Sequence, residues 1–381
     1  MKLNMKNFIK CLTLLLLFSI KMNSQGTKQS NKELSKDIKT LFIPGEGDYN
    51  CFRIPAVVVA KDGSILAFAE ARKKSCSDTG NIDIVMKKST DNGASWSNLI
   101  VIWNDGQNVC GNPAPVVDAK TGTVHLLLTW NNGGDHESEI IAQTSGETRE
   151  VYHLQSSDNG DSWSQPKNIT ATTKLKNWTW YATGPVHGIQ LKKGPYKGRL
   201  MIPSDHIEAG TKKYYSHVIY SDDNGVSWEL GGRTPQDQVN ECTLVQLENG
   251  DLMLNMRNYE RKEDQARQVA ISKDGGLTWE NQHIDTNLSE PRCQAALLAV
   301  MRKRKQVLLF TNPVNPKKRV NMTLSVSRDQ GKSWDEKITI FKGPSAYSDL
   351  VELNTNQIFV FFEAGEKNAY EGIHYKLINL D

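Results

Sequence analysis

The chain has 381 residues, 38% hydrophobic and 23% charged, with 28 glycines and 9 tryptophans, a globular composition with ample core material that excludes a disordered or collagen-like chain. The length suits two or three average domains or one large all-β domain. A formal charge of +3, with no long basic run and no interleaving of basic and aromatic residues, leaves no electrostatic footprint for nucleic acid, so a preference for anions must come from a local cluster.

In chain order, Lys2, Lys6 and Lys10 form a basic stretch before the apolar run Cys11–Ile20, which is too short to span a bilayer. Asn23-Ser24-Gln25-Gly26 follows. This pattern predicts a signal peptide over residues 1–24, cleaved near Ser24, and hence a periplasmic or secreted protein with no membrane insertion in its mature form. A retained anchor is the alternative. Residues 25–39 read as a flexible polar leader, in which Asn31–Lys39 is the one modest helix candidate. Cleavage leaves Cys51, Cys76, Cys110, Cys242 and Cys293. An odd count keeps at least one thiol free or intermolecular, one or two bridges suit an oxidising compartment, and the spacings match no metal site with His.

The stretch from Phe52 to Asp83 reads as a hairpin: Ala56–Ala60, a Lys61-Asp62-Gly63 turn, then Ser64–Ala71. Arg53 precedes it, Arg72 closes it, and Asp78 follows in a loop of small and polar residues. Two arginines and an acid at the ends of adjacent strands suit a site that grips an anion and moves a proton beside it; ordinary surface charge is the competing reading. Asp83, within a strand, is a rival to Asp78 that better suits a structural hydrogen bond.

A motif, S-x-D-x-G-x-[ST]-W, occurs five times, at Ser89–Trp96, Ser156–Trp163, Ser221–Trp228, Ser272–Trp279 and Ser327–Trp334. Asp and Ser cap nearby N–H groups, Gly allows positive φ, and Trp covers the turn. The segments before the copies, Ile82–Lys88, Val151–Gln155, Ser216–Tyr220, Gln268–Ile271 and Asn321–Val326, read as strands. Copies lie 67, 65, 51 and 55 residues apart, room for about four short strands each. The spacing predicts an all-β, six-bladed β-propeller of antiparallel four-stranded blades over residues 40–381. The repeat is structural and carries no activity by itself.

The repeats together with Phe52-Arg53-Ile54-Pro55 resemble the exo-α-sialidase family of bacteria and animals, over nearly the whole mature chain. The resemblance implies roles for eight positions. Arg53, Arg257 (in LMLNMRNY) and Arg319 (in NPKKRVN) correspond to a triad that holds the substrate carboxylate. Arg72 corresponds to the arginine near the sugar's C4 group, and Asp78 to the acid/base. Tyr347, in AYSDL, corresponds to the nucleophile, Glu241 to the glutamate that assists it, and Glu363, in FFEAG, to a glutamate that steadies the first triad arginine. By residue type alone, Glu241 also suits a solvated strand end and Tyr347 a core tyrosine. His187 and His206 read as pocket wall or structure. Trp130, Trp178 and Trp180 suit either acyl or glycerol pockets or plain packing.

The chemistry fits these residue types. Three guanidinium groups pair a carboxylate with planar, directional bonds and stay charged at any working pH. A carboxylate on the anomeric carbon repels an Asp or Glu nucleophile, whereas a neutral tyrosine with a base avoids that repulsion, and sialidases are an exception to the two-carboxylate rule of glycosidases. The implied function is retaining hydrolysis of terminal α-linked sialic acids on glycoproteins, glycolipids and oligosaccharides through a covalent tyrosyl intermediate. Transfer to an acceptor, intramolecular transfer and non-catalytic sialoglycan binding are the alternatives. No metal or organic cofactor is implied.

Overall fold

The computed structural model describes residues 37–260, 265–354 and 356–380. The predicted signal peptide and most of the leader lie outside them. Lys39 does not end a helix: it opens the strand Lys39–Phe42.

The described chain is all-β and almost wholly antiparallel. Cys51–Val59, Ile65–Arg72, Ile82–Ser89 and Ile100–Trp103 pair in sequence order. The same meander recurs in Val109–Val117, Val124–Asn131, Glu150–Ser156 and Lys167–Asn168. It recurs again in Val239–Gln246, Leu252–Asn258, Ala266–Ser272 and Glu280–Ser289. A 19-residue strand, Glu336–Asn354, pairs with Val320–Ser327 through its first half and with Gln357–Ala364 through its second, so it serves two ladders. Lys39–Phe42 pairs with the last strand, Ile373–Asn379, which brings the two ends of the described chain into one sheet. Among the described residues, two short α-helices, Glu137–Ala142 and Thr170–Thr173, interrupt the strands. Both are too short for a helical period to show in the sequence. Among the described residues, no helix is long and apolar enough to cross a membrane.

The first strand of the Cys51–Val59 meander, CFRIPAVVV, is buried along nearly its whole length, which explains its continuous apolar run rather than strict alternation. Apolar clusters fill the seams between sheets; one joins Phe52 and Ala67 to Phe359 and Phe361 from the far end of the sequence. Near the centre, the wholly buried Asp349 carboxylate accepts the N–H groups of Val57 and His187 and pairs with His187 Nδ1. His187 therefore serves structure, tying the loop before Ile189–Gln190 to the strand Glu336–Asn354. His206 is buried, stacked on Trp178 and bonded to His217. Asp83 accepts from Tyr49 and Asn104 and is structural too.

Each repeat closes on itself. The Ser Oγ donates to the Asp carboxylate at 2.7–2.9 Å. The same oxygen accepts the Gly N–H at 2.8–2.9 Å. The fourth and fifth residues of every copy have positive φ, which only glycine adopts freely. At Gly225 a Cβ would also lie 2.1 Å from the His125 ring. The tryptophans do more than cover their turns. Trp96 packs on Phe359 and Tyr375, Trp163 on Phe68, and Trp228 on His125 and His153, so the rings fill seams between neighbouring meanders.

Among the described residues, one disulfide joins Cys51 to Cys76. Cys110, Cys242 and Cys293 are buried free thiols.

Candidate active site

Seven of the eight expected residues, Arg53, Arg72, Asp78, Glu241, Arg257, Arg319 and Tyr347, line one cavity of about 220 Å³. Glu363 lies behind Arg53, fully buried.

Register breaks aim three of these side chains. The ladder slips between Arg53 and Ala56, between Val239 and Cys242, and between Ser345 and Ser348. Arg53, Glu241 and Tyr347 sit in those breaks. Further slips lie between Gly111 and Ala114 and between Trp178 and Tyr181, where Asn112 and Trp180 also reach the cavity. A bulge bends its strand and redirects a side chain that strict alternation would send elsewhere. At the first slip Ile54 has φ +59°, a costly conformation for a β-branched residue that the surrounding contacts must hold.

Those contacts centre on Glu363. Its carboxylate accepts Arg53 Nε at 3.0 Å, Arg53 Nη2 at 3.2 Å, Ile54 N at 2.9 Å and Tyr347 N at 3.2 Å. Burial disfavours the Arg53 charge, but Glu363 beside it prevails and holds the guanidinium pKa above its usual range. Arg257 Nη1 donates to Glu241 Oε2 at 2.5 Å and to Tyr347 Oη at 3.1 Å. Arg319 donates to Tyr370 Oη at 2.9 Å and to the Arg292 carbonyl at 3.0 Å. The Arg53 and Arg319 guanidinium carbons stand 5.1 and 5.5 Å from the centre of the Tyr347 ring.

Tyr347 donates its hydroxyl to Glu241 Oε1 at 2.5 Å. Burial, then the Glu241 carboxylate, push that hydroxyl well above its usual pKa; the three arginines pull it the other way. The resting tyrosine is neutral, bonded to Glu241 and flanked by the guanidinium groups of Arg53, Arg257 and Arg319.

Across the cavity, Arg72 pairs with Asp78 at 2.7 Å and Arg53 reaches the same oxygen at 3.5 Å. The Asp78 side chain is 66% exposed. Its pKa lies below the usual carboxylate range: burial at the cavity mouth works upward, and Arg72 and Arg53 outweigh it.

The chain matches the BNR repeat-like domain over residues 63–360. It is 30% identical to a sialidase of Bacteroides fragilis over 341 residues, covering 84% of this chain and 61% of that protein. It is 31% identical to a sialidase of Paraclostridium sordellii over 291 residues, covering 72% of this chain and 70% of that protein. The chain belongs to the sialidase family. A solved Hadza microbial sialidase superposes with a TM-score of 0.81 at 28% identity, covering 90% of this chain and 68% of that one. This sialidase-family chain thus spans about three fifths of the Bacteroides relative's length.

The cavity also contains residues that sequence reasoning missed. Glu70 receives Arg72 Nε and Nη2 on one oxygen and Asn112 N on the other; its place two residues before Arg72 on one strand, hence on the same face, was a usable signal. Arg149 is buried, bonded to Asn112 and stacked 3.9 Å from the Trp180 ring centre. Asp205 is fully buried, and burial, then Glu241, hold its carboxyl well above the usual range. Tyr370 lies under Arg53 at 4.2 Å. Nothing in the local sequence marks Arg149, Asp205 or Tyr370. Of the three tryptophans, Trp180 lines the cavity, Trp178 packs on His206, and Trp130 bonds Asp105. Among the described residues no cluster of His, Cys, Asp and Glu is placed to hold a metal ion.

Proposed function

We propose that the chain is a retaining exo-α-sialidase that hydrolyses terminal α-linked sialic acids from glycoproteins, glycolipids and oligosaccharides. The observation that carries this reading is the Tyr347–Glu241 hydrogen bond set among Arg53, Arg257 and Arg319. Few other reactions call for a tyrosine, its base and three guanidinium groups on one side of a small cavity.

In this mechanism the arginines hold the substrate carboxylate, which fixes the anomeric carbon over the Tyr347 oxygen. Tyr347 gives its proton to Glu241 as its oxygen bonds that carbon, because an isolated tyrosinate is disfavoured in this buried site. The bond to the leaving oxygen breaks as Asp78 protonates it. A water, deprotonated by Asp78, then attacks the same carbon, and Tyr347 leaves with the proton from Glu241. Two displacements give retention. Asp78 needs a proton at the start, yet the free protein holds it ionised. Bound substrate supplies the remedy: its carboxylate offsets the Arg53 charge, and its leaving group shields Asp78 from water. Both changes raise the acid's pKa.

The same reading takes the strand ladders as a propeller of six four-stranded blades. It counts Glu336–Asn354 in two blades and Lys39–Phe42 in the last. The five repeats then fall on third-to-fourth strand turns of five blades, and the closing blade lacks one. Residues 1–24 direct export to the periplasm or beyond, where sialylated glycans are met.

Proton NMR of sialyl-lactose hydrolysis tests the proposal. Early α-sialic acid that later mutarotates is the expected result. Release of an anhydro sugar, or transfer to lactose, keeps the site and changes the reaction; saturable binding without turnover overturns catalysis.

A further inference from the structure

We propose that the Cys51–Cys76 disulfide is the positioning element for the Asp78 carboxyl. By this reading it governs how well the protein turns over substrates whose leaving group needs a proton. The inference rests on the acid role given to Asp78 above.

Asp78 rides on the segment 73–81, which joins Ile65–Arg72 to Ile82–Ser89. The backbone bonds of that segment close its base, Lys73 N to Asn81 O at 3.1 Å, and tie its far side, Gly80 N to Gly133 O at 3.0 Å. Lys74, Ser75, Ser77 and Asp78 are exposed. Ser77 and Thr79 bond each other at 3.0 Å, and Asn50 Nδ2 donates to the Lys74 carbonyl at 3.1 Å, four residues before Asp78. The strongest anchor of the tip is therefore covalent, and it stands two residues before Asp78.

The other end of the bridge is in the site's own framework. Cys51 is fully buried, two residues before Arg53 on the same strand and directly across the ladder from Arg72. The disulfide thus ties the acid to the strands that carry both of its charge partners. Arg72 adds a bond from Nη1 to the Cys76 carbonyl at 2.6 Å.

The catalytic cycle makes this tether matter. In the resting state the Asp78 carboxylate is held by Arg72 and Arg53. Once the carboxyl takes up the proton it must deliver, those ion pairs lose their charge on one side. The bridge is indifferent to protonation. It keeps the tip in register at the step where the ionic restraints weaken and where proton transfer needs heavy atoms within hydrogen-bond reach.

The test compares kcat/KM on 3′-sialyllactose, a poor leaving group, with that on 4-methylumbelliferyl sialoside, whose phenolic leaving group needs little protonation. In the full-length Cys51→Ser/Cys76→Ser protein we expect a loss of about 10–100-fold on sialyllactose, the scale of a displacement near 1 Å, with little change on the aryl sialoside. In an Asp78→Ala background, removing the bridge should cost sialyllactose turnover nothing further. Equal losses on both substrates, or the same loss in both backgrounds, would show a merely structural bridge and overturn the inference. Asp78→Ala alone separates the two readings. If it lowers both substrates equally, the acid assignment fails; if its loss is selective while that of the cysteine variant is not, only the tether fails. Should the double variant not fold, the native protein reduced by dithiothreitol, which is oxidised as the bridge becomes two thiols, is assayed on the same two substrates once alkylation confirms the free thiols. The same selective loss is expected, and equal losses overturn it.

Discussion

The rim turns and the central cavity use the same polar residue types but close their bonds over different lengths of chain. In the turn at Ser221, the serine hydroxyl reaches Asp223 two residues on and the Gly225 N–H four residues on. In the cavity, Tyr347 meets Glu241 across 106 residues, and Arg53 meets Glu363 across 310. A turn of the first kind closes its polar bonds within its own eight residues. A contact of the second kind exists only when the whole set of sheets is assembled. The two regions should therefore fail differently: the cavity in activity with the fold kept, the rim in stability with the activity kept.

The sharpest break of that contrast is Tyr347→Phe. It removes one hydroxyl from the cavity, while Glu241 keeps its ion pair with Arg257. We expect kcat to fall by at least about 10³-fold, as for other nucleophile removals, with the melting temperature unmoved. A folded variant with near-normal kcat would refute the nucleophile role.

A smaller effect should appear in acid. His125, His153, His206 and His217 are buried, and burial is the first cause that holds each ring neutral in the fold, with pKa near 4 for His125, near 3 for His153 and His217, and well below 6.5 for His206. The unfolded chain protonates these rings near pH 6.5, the folded chain only far lower. Their contribution to stability is therefore complete above pH 6.5 and is lost as the pH falls toward 4. Asp205 and Glu137, whose carboxyls are raised in the fold chiefly by burial, work in the opposite sense, but they are two groups against five histidines, His374 being depressed by burial as well. The melting temperature should fall steadily from pH 7 to pH 5 and change less from pH 7 to pH 8; a flat profile from 7 to 5 would contradict the buried, neutral histidines. Two of these rings pack on Trp228, so the loss should begin at a seam next to a rim turn.

The smallest effect is Ser221→Ala. It removes the acceptor of the buried Gly225 N–H and the donor to Asp223, at a cost of about 1 kcal/mol. Calorimetry should show a melting temperature lower by about 2–4 °C, on the scale for a large domain, with kcat/KM unchanged. A fall in turnover at constant stability would mean that rim and cavity are coupled more closely than their geometry indicates.

Legibility followed the same division. Each of the five strands expected before the repeats is present, extended by a few residues: Ile82–Ser89, Glu150–Ser156, Lys213–Ser221, Ala266–Ser272 and Val320–Ser327. Their apolar patterns and turn residues act over short spans. The eight site positions were reachable through motifs carried by a resemblance, since a lone Tyr347 or Glu241 suits a core or a strand end equally well. Glu70 was within reach through its spacing from Arg72. Tyr370, Arg149 and Asp205 were not, because each gains its meaning from a partner on another sheet.

The sequence by itself determined the antiparallel strands, the five self-bonded turns, and the residue types needed to grip a carboxylate, because backbone propensity and local side-chain capping depend on neighbours a few positions away. Only the tertiary structure decided which cysteines pair, and how the bulges at Arg53, Glu241 and Tyr347 turn three distant side chains to one point. Those outcomes depend on the register between strands and the burial of charge against distant partners, which are properties of the assembled sheets.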